Sequence, residues 1–170
     1  MKKFFIVIII FTFFFKFNAK AEIAYIDLNY ILKSSEVGKF LNNYIKNIQL
    51  EYEQKYKSIE DDIINKEKLL IAQQNILNEE DFENKLKDLG NEVKKYRTEK
   101  QSSYESLKQF KIDNTKEILK ILNPIITNFV NLNSISIVIP KKNIIVGKKN
   151  LDITDQIIML LNNNVKKLNF

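Results

Sequence analysis

Apolar and polar positions change period along the chain, and the changes mark its elements. Glu22–Asp27 reads Glu-Ile-Ala-Tyr-Ile-Asp, a short apolar run suited to a strand. Leu28, Ile31 and Leu32 follow at i, i+3, i+4, the spacing of one or two helical turns, with Ser34 and Ser35 as caps for what comes next. Residues 36–123 then hold no proline and two glycines in 88 positions dense in Lys, Glu, Leu and Ile, which predicts long helices. In the first half Leu41/Tyr52/Ile63 and Ile48/Ile59/Leu70 recur every 11 residues, the period of a nearly straight pairing; a third row, Ile45/Tyr56, fails at Glu67. In the second half Phe82, Leu86, Leu89, Val93 and Tyr96 step 4-3-4-3 as a heptad seam. Polar Lys100 and Ser103 interrupt that register before Leu107 and Phe110 resume it. A seam this narrow joins two helices but builds no globular core.

Between the halves, Gln73–Asn78 is followed by Glu79-Glu80-Asp81, so Asn78 is a fair N-cap with acidic residues at the positive end of a helix dipole. The expected reversal lies near 75–78 and makes an antiparallel hairpin. Charge agrees: residues 36–84 carry 6 basic and 11 acidic groups, residues 85–120 carry 10 and 6, and two arms of opposite sign attract side by side. At about 40 residues, each arm would reach ~60 Å.

From Asn133 the alternation changes. Ile135, Ile137 and Ile139 fall on one face of a predicted strand, Pro140-Lys141-Lys142 turns, and Asn143–Val146 reads as a second strand ended by Gly147. Asp152 or Thr154 caps a last helix with Ile157, Ile158, Leu160 and Leu161 as its apolar content. The economical arrangement sets the N-terminal strand beside the C-terminal pair, with the hairpin leaving and re-entering one small sheet. The fold expected is α+β, mostly α: a long antiparallel coiled-coil hairpin on a small β body with a short C-terminal helix. Its body comprises residues 22–35 and 133–170, its hairpin residues 36–132. A body of roughly 50–60 residues is of the size that needs oligomerisation or staples. The core expected where copies of this body associate through the sheet is Ile23, Tyr25, Ile135, Ile137, Ile139, Ile144, Val146, Ile157 and Ile158.

Ahead of all this, Lys2 and Lys3 precede the apolar run Phe4–Phe15, which ends at Lys16 before Ala19-Lys20-Ala21. Twelve residues span ~18 Å as helix, short of a ~30 Å bilayer core, so residues 1–21 read as a signal peptide cleaved after Ala21 and the remainder as an exported protein. The formal charge of +6 then shrinks to 23 basic against 21 acidic groups, too little to argue for nucleic acid. With no Cys and no His, thiol chemistry, disulfides, thiolate zinc sites and Ser-His-Asp triads are excluded. Scattered Gly38, Gly90 and Gly147 make no phosphate loop. No enzyme, cofactor or metal is expected; Asp61-Asp62 and Glu79-Glu80-Asp81 read as solvated helix charge rather than a cation site.

The order of these features carries a resemblance. Ile23-Ala-Tyr-Ile-Asp27, then Leu28-Asn-Tyr-Ile-Leu-Lys-Ser-Ser-Glu-Val-Gly38-Lys39, a long hairpin, a strand pair and Asp152-Ile-Thr-Asp-Gln-Ile-Ile158 together resemble the Skp/OmpH family of periplasmic chaperones. What the resemblance implies is a homotrimer in which strands of three chains form the body and three hairpins enclose a cavity. Unfolded outer-membrane β-barrel proteins would be held there without ATP, in the periplasm. Relatives are often markedly basic, whereas here the first arm is acidic.

Within that picture Leu41, Ile48, Tyr52, Ile59, Ile63, Leu70, Phe82, Leu86, Leu89, Val93 and Tyr96 are the expected hairpin seam. Tyr44 and Tyr104 lie off the rows and are the candidates for client contact. Lys94, Lys95 and Arg97 are a candidate contact for acidic clients or, weakly, anionic membrane lipid, although a solvated helix face is the better reading. Gly90 is either a bending point or accidental. A structural coiled-coil protein of the envelope, or a signal-anchored component of a secretion or division complex, would fit the same pattern.

Overall fold

Two long helices account for most of the molecule. The computed structural model describes residues 22–169; the expected signal peptide and its cleavage point lie outside them. In chain order the elements are β1 (Glu22–Ile26), α1 (Leu28–Ser34), α2 (Glu36–Ala72), α3 (Glu79–Leu132), β2 (Ile135–Pro140) and α4 (Thr154–Asn164), with single 3₁₀ turns at Lys141–Asn143 and Lys149–Leu151.

Local chemistry sets each boundary. The Asp27 carboxylate accepts from the Tyr30 amide at 2.9 Å and starts α1. Ser35 ends α1, its amide donating to Ile31 O at 3.0 Å, and begins α2 by accepting from the Gly38 amide at 3.2 Å. This corner is tight: a β-carbon on Gly38 would stand 2.1 Å from Leu32 O, so only glycine lets the two helices meet there. Asn78 caps α3 by accepting from the Asp81 amide at 2.8 Å. Glu79, Glu80 and Asp81 occupy its first turn, where the helix dipole favours them. Ser134, at φ 54°, reverses the chain from α3 into β2.

α2 and α3 pack as an antiparallel hairpin: as numbers rise on one arm their partners fall on the other, from Tyr56–Ser103 through Lys66–Glu92 to Gln73–Lys85. At 1.5 Å per residue α2 is about 55 Å long and α3 about 80 Å. The extra length of α3 runs into the body, passing through an exposed Pro124.

β1 and β2 pair in parallel, with Ile23 beside Ile137, Ala24 beside Val138 and Tyr25 beside Ile139. The whole hairpin is their crossover, a connection parallel strands require. On the other side of β1, Asp152 makes a single parallel bridge to Tyr25, and the Ile153 amide donates to Tyr25 O at 3.0 Å. β1 is therefore the central strand. Ala24 and Ile26 point into a core shared with Ile31, Val37, Ile118, Leu122, Ile157 and Leu161, all buried; Ile135 and Val138 pack against it.

One expectation about the body needs correction. Asn143–Val146 forms no strand: Ile144 is half-buried, while Ile145 and Val146 are exposed, at 101% and 88%. A strand exists only by hydrogen bonding to a neighbour, and one protomer offers this segment none. Within one protomer the core lies on one sheet face only, with Ile157 at its centre and Ile135 and Ile158 packed against it. Ile23 and Ile137 look outward at 45% and 54% exposure, because the helices cover the face of Ala24, Ile26 and Val138. Tyr25, also outward, is buried under Gly147, whose added β-carbon would stand 2.8 Å from its ring.

Candidate functional site

The surfaces with functional potential are the two arms and the outward face of the sheet. On the arms, the principal feature is an aromatic cluster midway along the hairpin. Tyr56, on α2, is only 1% exposed, and its ring meets Tyr52, Tyr96 and Tyr104 at centroid distances of 6.1, 6.1 and 6.3 Å. Its hydroxyl donates to Glu99 O at 3.0 Å and lies 2.6 Å from Ser103 Oγ. Lys100 donates to the Tyr96 hydroxyl at 2.8 Å, an interaction that raises the lysine pKa above its ordinary value. The two polar residues that interrupt the heptads are thus the ones that engage tyrosines of the seam.

The expected seam residues distribute unevenly. Leu41, Ile63 and Leu70 are buried, and Ile48, Tyr52, Ile59, Phe82, Leu89, Val93 and Tyr96 are half-buried. Leu86 is 53% exposed. Tyr44 packs on Phe110, with centroids 5.5 Å apart, and Tyr104 meets Tyr52 edge-on at 5.7 Å, so both touch the other arm. Lys94, Lys95 and Arg97 are exposed on α3, Lys95 reaching Glu99 at 3.9 Å. Ile45 and Tyr56, the row discounted because it fails at Glu67, are both buried; their 11-residue spacing was the signal.

Beyond the tyrosines the arms stay joined but are less fully packed on one side. A groove of about 430 Å³ opens between Ile63 and Ile64 on α2 and Leu86, Leu89 and Val93 on α3. At the same level Lys66 joins the arms through Glu92 at 2.6 Å and pairs with Asp62 of its own helix at 2.8 Å; both partners raise its pKa. Leu69, Ile71 and Ile76 at the tip are exposed.

In the body, Asp152-Ile-Thr154 works as a clasp. The Asp152 carboxylate accepts from the Thr154 amide at 3.1 Å and from its hydroxyl, and pairs with Lys141 at 3.2 Å. The Thr154 hydroxyl oxygen accepts from the Asp27 amide at 2.9 Å, tying α4 to the end of β1. Burial pushes the Asp152 carboxyl up, but the Thr154 hydrogen bonds and Lys141 outweigh it and hold the pKa below the ordinary value. Among the described residues no three acidic side chains converge as a metal site, and no helix is long and apolar enough to cross a membrane.

Known proteins share this arrangement. The family model of OmpH-like outer membrane proteins matches residues 22–161. Among solved structures, the chain is similar to a proposed outer membrane chaperone (OmpH-like) from Caulobacter crescentus CB15. The TM-score is 0.80 at 18% identity, over 87% of this chain and 88% of that one, a likeness of fold. No curated protein matches the chain. A family match across β1, both arms and most of α4 leaves one conclusion: the chain belongs to the OmpH-like family.

Proposed function

We propose that this protein is an ATP-independent holdase of the periplasm, keeping unfolded outer-membrane β-barrel proteins soluble between the arms of a homotrimer. Membership of the OmpH-like family supports a chaperone role. The observation that carries the finer reading is the pairing of long, partly apolar arms with a body left incomplete in one copy. Ile23 and Ile137 form an outward apolar face, β2 has no neighbour on its second edge among the described residues, and Ile145 and Val146 stand exposed. Pairing that segment with the sheet of another copy would bury all of these and turn three hairpins the same way.

Such a space suits a holdase. Each arm offers scattered tyrosines and aliphatic side chains among lysines and glutamates, so a client gains many weak contacts and no strong one. It stays soluble and can still leave. The near balance of charge from residue 22 onward and the acidic first arm count against tight binding to anionic lipid, and contact through Lys94, Lys95 and Arg97 is at most a weak addition.

The test is aggregation of a denatured outer-membrane barrel diluted into buffer without nucleotide, with the mass of the protein measured by light scattering alone and with client. A three-chain assembly that suppresses aggregation is expected. A stable monomer, or no protection, would overturn the reading.

A further inference from the structure

We infer that the groove around Gly90 is a binding slot for one large apolar side chain, aromatic or aliphatic, carried by an uncharged unfolded segment; this rests on the holdase reading and assigns it a site. Past the tyrosine cluster the seam is under-filled. Leu86 and Ile64 are 53% and 38% exposed, and the space between them, Ile63, Leu89 and Val93 is about 430 Å³. That volume is at the low end of small-ligand pockets.

Gly90 forms part of the wall, and nothing in the packing requires a glycine there. A β-carbon added to it would meet no neighbouring atom within 4 Å, in contrast to Gly38. α3 runs through it as unbroken helix, so it is no break or turn. Glycine weakens a helix interior relative to alanine. What it provides is open space at the wall of the groove.

The rim decides what kind of segment fits. Glu60 and Glu67 stand on the α2 lip and Arg97 on the α3 lip. Glu67 and Arg97 have no ion-pair partner within 4 Å among the described residues, so each remains free to act on whatever approaches. Two carboxylates against one guanidinium leave the rim net acidic, which repels an acidic segment, and any charged group entering the apolar floor sheds hydration, so a neutral backbone bearing an apolar side chain fits best.

The chain contains no tryptophan, so a tryptophan probe reports on itself alone. The probe is a short neutral peptide of Gly, Ser and Ala around one Trp, titrated with the full mature protein while its emission is followed. A blue shift is expected with the wild type and with Gly90→Ala, and about tenfold weaker binding with Gly90→Leu, which plugs the slot. Leu86→Ser, at an exposed position where truncation leaves the fold intact, is expected to weaken binding too and carries the test should Gly90→Leu fail to fold. Wild-type affinity in both variants, or no binding by the wild type, overturns the slot. Protection of a denatured barrel is read separately: its absence with peptide binding intact overturns the holdase reading and leaves the slot standing.

Discussion

Tyr56 on α2 and Ser103 on α3 hold their hydroxyl oxygens 2.6 Å apart inside the hairpin, with the tyrosine ring buried to 1% exposure. Among the described residues the other hydrogen bonds from side chain to side chain between the arms are exposed, and a part-buried hydroxyl pair helps fix register in a way apolar side chains cannot. Tyr56→Phe keeps the ring and strands Ser103, so it should cost about 1 kcal/mol in urea unfolding followed by circular dichroism. Adding Ser103→Ala should recover part of that loss, because no unpaired hydroxyl then remains. Additive losses in the double variant would mean the two groups do not interact.

The two helical glycines should respond oppositely to one methyl group. Gly38→Ala drives a β-carbon against Leu32 O and should destabilise by about 2 kcal/mol or more. Gly90→Ala meets no neighbour and should stabilise by ~1 kcal/mol through helix propensity alone. Thermal melts of the two variants beside the wild type check both signs.

Asp152 gives the body a pH dependence of known sign. Its folded pKa lies below the ordinary carboxylate value, so its contribution is complete above that value and is lost as pH falls through the folded pKa. Asp152→Ala should cost about 2 kcal/mol at neutral pH, by loss of the Thr154 and Lys141 partners. The gap between wild type and variant should close below about pH 4. A gap that stays constant down to pH 2 would show that the charge is not what matters.

If copies join through the outward sheet face, a charge there should separate them without unfolding the protomer. Ile137→Asp and Ile145→Asp introduce carboxylates at positions exposed in the single chain, so the helical signal and the protomer core should persist. Light scattering should report a fall to the single-chain mass. Retention of the assembly by both variants would exclude this face as the junction.

Local features were the most legible. Ser35 and Asn78 were readable as caps because a cap is a contact between near neighbours, and the opposite charge of the arms followed from counting side chains. The candidate site was readable only in outline. Tyr44 and Tyr104 stood out for lying off the rows, yet each packs on a ring from the other arm. Lys100 and Ser103 read as defects of the seam, and in the structure they meet Tyr96 and Tyr56. Periodicity records which face a residue occupies on its own helix; it carries no information about what stands opposite.

The sequence by itself determined that two long helices fold back on each other and that strands flank them, because helix propensity, caps and period are properties of neighbouring residues. Only the tertiary structure decided which sheet face the helices cover, that Asp152-Ile-Thr154 fastens α4 to β1, and that Gly90 borders a groove. Each of these depends on contacts between residues far apart in the chain, where packing volume and shared hydrogen bonds select one arrangement among several with the same local pattern.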